Sequence, residues 1–266
     1  MVKVLTLLMV FCSLQVFASD TGRLSSRLKP GGFYVGVVKS GTEVHYKGRQ
    51  VRVSDDGQFI IGFGRDAELQ QSFKLLHNDG RSEKVSLALK SREYDIQHID
   101  GVARKYVQPA PDVLHRIRTE AKRVGQSRQF DTPADDFFSG FTQPARGRIT
   151  GIYGSQRYFN GEPRRPHYGI DFAAPTGHPV VSAADGIVRL AHEDLYFSGG
   201  TIIIDHGFGI SSSYLHLSAI DVKEGETVER GQLIGKIGAT GRVTGPHLDW
   251  RINWFDVRLD PALMMQ

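Results

Sequence analysis

The sequence predicts a mainly β protein in which two β domains are joined by a short helical linker. Apolar and polar residues alternate in many short segments, as in strands that have one buried face. Glycine is frequent, with 30 residues in a chain of 266, and turn residues separate the apolar segments. We expect an N-terminal β domain at residues 29–107, the linker at residues 108–143 and a larger C-terminal β-sheet domain at residues 144–266.

Residues 1–18 have the pattern of a signal peptide. An apolar segment follows Lys3, and Ala18 supplies the small residue that a signal peptidase requires. The segment is short for a membrane span, so we expect cleavage after Ala18, export and no membrane span in the mature chain. A membrane anchor is the alternative. Cys12 is the only cysteine and would be removed with this segment.

The first β domain shows an alternation of period two that is typical of antiparallel strands. Turn sequences that end in glycine, at residues 55–57 and 78–80, separate the alternating segments. These features predict a small antiparallel sandwich or barrel. The apolar positions that define its strands are Val44 and Tyr46; Val51 and Val53; Phe59, Ile61 and Phe63; Phe73 and Leu75; Val85, Leu87 and Leu89; Tyr94 and Ile96.

One segment of the linker has helical periodicity. Asp112 is placed to cap a helix that ends near Val124 and turns a basic face to solvent. Residues 125–143 are rich in Ser, Gln, Asp, Thr and Pro, as expected of a linker. We expect its aromatic cluster to dock on the second domain. That cluster consists of Phe137, Phe138 and Phe141.

The C-terminal domain is predicted to be a succession of short strands without a good helix. Its strands are expected at residues 149–153, 179–182, 186–191, 201–205, 212–216, 227–228, 233–237 and 247–253. Three of its histidines occur singly, and a single histidine in a β domain usually has a structural role. We therefore expect His178, His192 and His206 to be structural residues, His206 through hydrogen bonds.

Three short motifs in this domain carry the chemistry. His167 and Asp171 are four residues apart and can close on one metal ion. His247 and Asp249 are two residues apart, which places both side chains on one face of a strand. One imidazole and two carboxylates, from His167, Asp171 and Asp249, would hold zinc with an open position for water. His216 and His247 would then be free for proton transfer, which predicts a metallohydrolase.

Residues 144–262 resemble the lysostaphin-like, LytM-type zinc metallopeptidases. His167 and Asp171 match the family's H-x-x-x-D motif, and His216 lies in its Y-x-H-L context. The Gly-Pro-His-Leu sequence at His247 matches the last motif up to its final position, where the family has His and this chain has Asp249. The resemblance implies a duplicated hybrid-motif β fold, one Zn²⁺ per chain, and hydrolysis of peptidoglycan stems or cross-links.

The aspartate at position 249 allows two interpretations. Carboxylate oxygen is an ordinary zinc ligand, and the spacing keeps Asp249 on the metal-facing side. Alternatively, the site is lost, as in inactive LytM-type domains that activate a cell-wall amidase. If Asp249 binds zinc, the two carboxylates nearly cancel the charge of the ion. From that charge count we expect activity at higher pH than in an Asp249→His variant.

Substrate contacts and partners follow from the position of the motif and from composition. Asn160 and Arg165 precede His167 and are expected to bind substrate, Arg165 through stem-peptide carboxylates; a solvated loop is the alternative. The net charge of +4 is interspersed along the chain, which favours an anionic wall polymer over nucleic acid. We expect a monomer in the periplasm of a Gram-negative cell. A peptidase acting on ordinary glycine-rich proteins is a further alternative.

Overall fold

The computed structural model describes residues 24–99, 111–159, 161–163 and 165–266. The predicted signal peptide and Asn160 lie outside these residues. Strands dominate the described part, which confirms the mainly β fold class, and one α-helix, α1 (Leu114–Gln126), lies in it. The strands are β1 (Phe33–Val37), β2 (Glu43–Tyr46), β3 (Arg49–Val51), β4 (Gln58–Gly62), β5 (Gln70–Leu76), β6 (Ser82–Ala88), β7 (Ile96–Ile99), β8 (Arg148–Gly151), β9 (Gln156–Phe159), β10 (Glu162–Pro163), β11 (Ile170–Ala173), β12 (Pro179–Val181), β13 (Gly186–Leu195), β14 (Gly199–Gly207), β15 (Ile210–Ile220), β16 (Thr227–Val228), β17 (Leu233–Ile237), β18 (His247–Trp254) and β19 (Val257–Leu259).

The N-terminal strands form two small antiparallel sheets. One has the order β3-β2-β5-β6, and the other pairs β1 with β4. In β5 the residues Gln71, Phe73 and Leu75 are buried in alternation with more exposed neighbours, as the period of two predicts. The segment at Tyr94 and Ile96 differs from the prediction. Strand β7 leaves these sheets and pairs in parallel with β9, immediately before the metal-binding motif.

The C-terminal strands form a ten-stranded sheet with the central order β16-β13-β14-β15-β18-β11-β8. Every residue of β14 is buried, because both faces of the sheet are covered at its centre. Tyr46 of the N-terminal part packs on Trp254 of β18, with ring centroids 5.9 Å apart. Both parts therefore share one hydrophobic core.

Helix α1 starts after a 3₁₀ turn at Pro111–Val113, and no side chain caps it, so the predicted cap at Asp112 was wrong. Val124 packs against a separate apolar cluster of Leu190, Leu195 and Ile203. Part of the basic face is engaged: Arg116 contacts Asp194 at 3.0 Å. No helix in the described part of the chain is long and apolar enough to cross a bilayer.

The aromatic cluster that follows α1 docks on the C-terminal sheet as predicted. Phe137, Phe138 and Phe141 are buried. Phe137 lies 5.8 Å from the ring of Phe208, and Phe141 lies 6.3 Å from the ring of Trp250. The contact with Trp250 attaches the linker to β18, the strand that also carries Asp249.

His206 is a core residue, as predicted from its isolation in the sequence. Its Nδ1 donates to the carbonyl oxygen of Asp185 at 2.6 Å, and its Nε2 lies 2.7 Å from Ser212 Oγ. Burial lowers the pKa of His206 from 6.5 to about 4. The ring is therefore neutral in the folded protein at pH 7.

We expect His206 to make folding sensitive to acid. The unfolded chain takes up this proton near pH 6.5, whereas the folded protein takes it up only near pH 4. The folded state therefore loses about 2 kcal/mol between pH 7 and pH 5 through this residue. Urea unfolding with a metal chelator present should show this loss in the wild type and a smaller one in His206→Gln. Equal losses in both proteins would contradict the assignment.

Candidate metal centre

The fold brings the three predicted metal ligands together. Asp171 of β11 and Asp249 of β18 are direct partners in the antiparallel register, so their side chains leave the same face of the sheet. His167 lies just before β11. One possible ligand atom from each of the three residues lies within 4.8 Å of the other two.

Two atoms of this cluster lack the partners that buried polar atoms normally have. His167 Nε2 and Asp171 Oδ1 are 3.2 Å apart and buried, and neither makes a hydrogen bond of acceptable geometry. An imidazole nitrogen and carboxylate oxygens are ordinary zinc ligands. The arrangement therefore fits a Zn²⁺ ion between these side chains.

Two glycines leave the space that the carboxylates occupy. A Cβ atom on Gly151 of β8 would overlap Asp171 Oδ2, and one on Gly169 would overlap Asp249 Oδ1. A larger residue at either position would displace a carboxylate. The glycines next to the motif are thus part of the site.

Arg251 is a residue of the site that the sequence analysis missed. Its Nε donates to both Asp249 oxygens, at 2.9 and 3.1 Å, and its Nη2 contacts Oδ2. Burial raises the pKa of Asp249, but the charge and hydrogen bonds of Arg251 outweigh this effect and lower it to about 2. The two-residue spacing that selected Asp249 also places Arg251 on the same face of β18, so the signal was present.

Arg251 changes the charge count made from the sequence. The two carboxylates of Asp171 and Asp249 and the one guanidinium sum to one negative charge. In the Asp249→His variant, the Asp171 carboxylate and the Arg251 guanidinium would sum to zero, so the wild-type site stays one charge more negative. The expected displacement of the pH optimum relative to Asp249→His therefore stays a prediction.

The imidazole of His167 is strongly influenced by the two carboxylates. Burial lowers its pKa, but the Asp171 and Asp249 carboxylates outweigh this effect, and the pKa is raised overall. A proton on His167 would compete with a metal ion for Nε2, because only the neutral imidazole is a ligand.

His216 and His247 lie together beside the three ligands. Their ring centroids are 4.9 Å apart, and His247 Nε2 is 3.9 Å from Asp171 Oδ1. In each ring Nδ1 donates to a carbonyl oxygen, of Thr240 for His216 and of Gly245 for His247, both at 2.9 Å. When the rings are neutral, this leaves Nε2 as the unprotonated atom. Burial lowers the pKa of His216, which favours that neutral form.

His216 adopts a backbone conformation that histidine rarely has. Its φ is +67°, and it lies in a bulge, because two residues of β15 stand opposite one of β14 between Gly200 and Ile202. A left-handed conformation costs about 1–2 kcal/mol in a residue other than glycine. Such strain concentrates at functional sites, where it aims a side chain.

The two predicted substrate residues differ in how far the structure describes them. Arg165 is exposed and precedes His167 on the segment that enters the site. Its charge acts on Arg258 of β19, a second basic residue near the cluster. Asn160 lies outside the described residues.

The fold and the donor set define a β-sheet metallohydrolase domain. Residues 165–261 match the sequence model of peptidase family M23. This part of the chain is therefore a peptidase family M23 domain, as the resemblance to lysostaphin-like enzymes predicted.

Known proteins extend this likeness to the N-terminal part. Peptidoglycan DD-endopeptidase ShyA of Vibrio cholerae is 46% identical over 204 residues, which cover 72% of this chain and 42% of ShyA. Peptidoglycan DD-endopeptidase ShyB of the same organism is 31% identical over 187 residues, 70% of this chain and 39% of ShyB. The chain thus spans about two fifths of these relatives. A putative M23 peptidase from Pseudomonas aeruginosa superposes with a TM-score of 0.72 at 28% identity, over 90% of this chain and 95% of that one.

Proposed function

We propose that the protein is a zinc-dependent metalloendopeptidase that hydrolyses peptide bonds of peptidoglycan stems or cross-links in the cell envelope. The observation that carries this proposal is the convergence of His167, Asp171 and Asp249, in which the buried His167 Nε2 and Asp171 Oδ1 form no hydrogen bond. The names of the relatives support peptidoglycan as substrate. The proposal includes export to the periplasm after loss of residues 1–18, and a metallopeptidase domain at residues 144–266.

The chemistry divides between the metal ligands and the two further histidines. A bound Zn²⁺ would polarise the scissile carbonyl group and make its bound water more acidic. The Nδ1 hydrogen bonds of His216 and His247 hold both rings with Nε2 available. One ring would accept at Nε2 a proton from the attacking water. The other would stabilise the oxyanion or protonate the leaving amine in its protonated form, which carries a proton on Nε2 as well as on Nδ1. Arg165 would bind the substrate, and Asn160 is proposed as a second substrate contact from its position in the sequence.

A second candidate function rests on the contact between Asp249 and Arg251. Arg251 occupies part of the hydrogen-bonding capacity of the carboxylate that should bind zinc. If this contact excludes the metal, the domain is an inactive LytM-type domain that activates a cell-wall amidase. A carboxylate has about four lone-pair sites, however, and can accept from arginine while it binds a metal. The enzyme is therefore the better-supported function.

The test combines metal analysis with digestion of purified peptidoglycan. We expect one zinc per chain in the wild type and new peptide fragments, resolved by mass, that Asp171→Ala does not produce. Casein in parallel separates a wall enzyme from a general peptidase. A protein without stoichiometric zinc and without fragments, but able to stimulate an amidase, would establish the second function instead.

A further inference from the structure

A group of arginines lies on the metal-bearing face of the sheet. Ser213 of β15 stands opposite Arg251 of β18. Two residues beyond Arg251, and further from Asp249, Asn253 of β18 stands opposite Arg258 of β19. Opposite residues in antiparallel strands project from the same face, so these side chains continue the row that contains Asp249. Arg128, from the end of the linker helix, reaches Ser213 Oγ at 3.3 Å.

Two of these arginines have no ionic partner. Neither Arg128 nor Arg258 forms an ion pair with any carboxylate of the described residues, although Arg128 is only 8% exposed. Arg258 donates to the neutral amide oxygen of Asn253 at 3.0 Å. By contrast, Arg189 pairs with buried Asp205 and Arg251 pairs with Asp249. A buried charge without an ion pair is unfavourable, and a bound anion would supply the missing counter-charge.

This group of residues also contains buried polar atoms that form no hydrogen bond. Arg128 Nε and Ser211 Oγ are buried, and neither has a partner. Ser211 lies opposite Asn253 and so projects from the same face as Ser213. Burial, followed by the charges of Arg258 and Arg251, lowers the pKa of Arg128, and the Asp256 carboxylate opposes this only weakly.

The three arginines differ in exposure: Arg165 is exposed, Arg258 is half-buried and Arg128 is buried. The charge of Arg165 acts on Arg258, and the charge of Arg258 acts on Arg128, so the three belong to one group. Tyr168 lies beside it, with its ring centroid 5.9 Å from the Arg258 guanidinium.

We propose that Arg258, Arg128 and Arg165 form a subsite that binds a carboxylate of the peptide substrate. Arg165 is its exposed member and Arg128 its buried member. The forked donors of a guanidinium match a carboxylate, and such charge-assisted bonds are strong. Arg251 and Asn253 lie two and four residues from Asp249, about 7 and 13 Å along an extended strand. The carboxylate therefore belongs to a residue two to four positions from the scissile bond. This inference rests on the proposed function for the identity of the substrate.

The test measures binding, so that it does not depend on turnover. Calorimetry with the full chain, made zinc-free by a chelator, compares a stem peptide that has a free carboxylate with the same peptide amidated at that group. We expect the wild type to bind the free acid about 10- to 100-fold more tightly. Arg258→Gln should bind both peptides equally and weakly, whereas the exposed Arg81→Gln should match the wild type.

Several results would overturn the subsite. One is equal binding of acid and amide by the wild type, and another is an unchanged preference in Arg258→Gln of unaltered urea midpoint. If Arg258→Gln unfolds, Arg165→Gln replaces it and should reduce the preference; an unchanged preference again contradicts the proposal. Phosphate or acetate that binds at Arg258 without competing with the peptide would assign the group to a small ion. A preference for the acid in a protein that digests no peptidoglycan would retain the subsite and reject the enzyme.

Discussion

Replacement of either His216 or His247 by alanine is expected to slow peptidoglycan hydrolysis by about 10²- to 10⁴-fold while one zinc per chain remains bound. Both rings keep Nε2 free beside the cluster, because Nδ1 of each donates to a backbone carbonyl oxygen. Neither is among the three residues whose ligand atoms converge. Fragment release from purified peptidoglycan, with zinc measured on the same samples, checks the prediction.

The strained conformation of His216 provides a control for unfolding. Glycine adopts φ = +67° without strain, so His216→Gly should be more stable than His216→Ala by about 1 kcal/mol. Both variants should nevertheless be equally slow. Near-normal turnover by either alanine variant would remove that histidine from the mechanism. Loss of zinc from one of them would make that histidine a ligand.

Replacement of Arg251 by methionine is expected to destabilise the zinc-free protein by about 3–5 kcal/mol, because it leaves Asp249 buried without its counter-charge. With zinc bound, we expect much of this loss to disappear. The ion would replace the guanidinium as the positive charge next to Asp249 and would stabilise the folded state by binding it. Urea unfolding with chelator and with zinc, for both proteins, measures the difference.

Arg189 offers a matched control for this experiment. Its side chain is 19% exposed and pairs at 2.9 Å with Asp205, which is 2% exposed; the corresponding values for Arg251 and Asp249 are 23% and 4%. Asp205 is not among the candidate metal ligands. Arg189→Met should therefore lose the same stability with and without zinc. If zinc fails to rescue Arg251→Met as well, Asp249 does not bind the metal, and the amidase activator becomes the better function.

Most of the C-terminal strands were predictable from the sequence, because each has a buried centre or one buried face and ends at a turn. The predicted segments at residues 201–205 and 212–216 lie within β14 and β15. The cluster of His167, Asp171 and Asp249 was predictable for a related reason. Side-chain direction repeats every two residues, so motif spacing indicates which ligands share a face.

Contacts between distant segments were not predictable in this way. The alternation of β7 resembles that of its neighbours and predicts a place in the N-terminal sheet, yet β7 pairs with β9. Alternation shows that a strand has a buried face but does not show which strand lies beside it. Asp112 was expected to cap α1, but the 3₁₀ turn at Pro111–Val113 precedes the helix without a side-chain cap.

The sequence by itself determined the β fold, the docking of the aromatic cluster and the identity of the candidate metal ligands. These properties depend on periodicity and on residue chemistry, both of which are local. Only the tertiary structure decided that Asp249 has Arg251 as its counter-charge, that His216 is strained, and that Arg128 and Arg258 lie near each other without an ion pair to a described carboxylate. Charge balance in a buried site depends on which groups surround it in space, and strand pairing sets those neighbours.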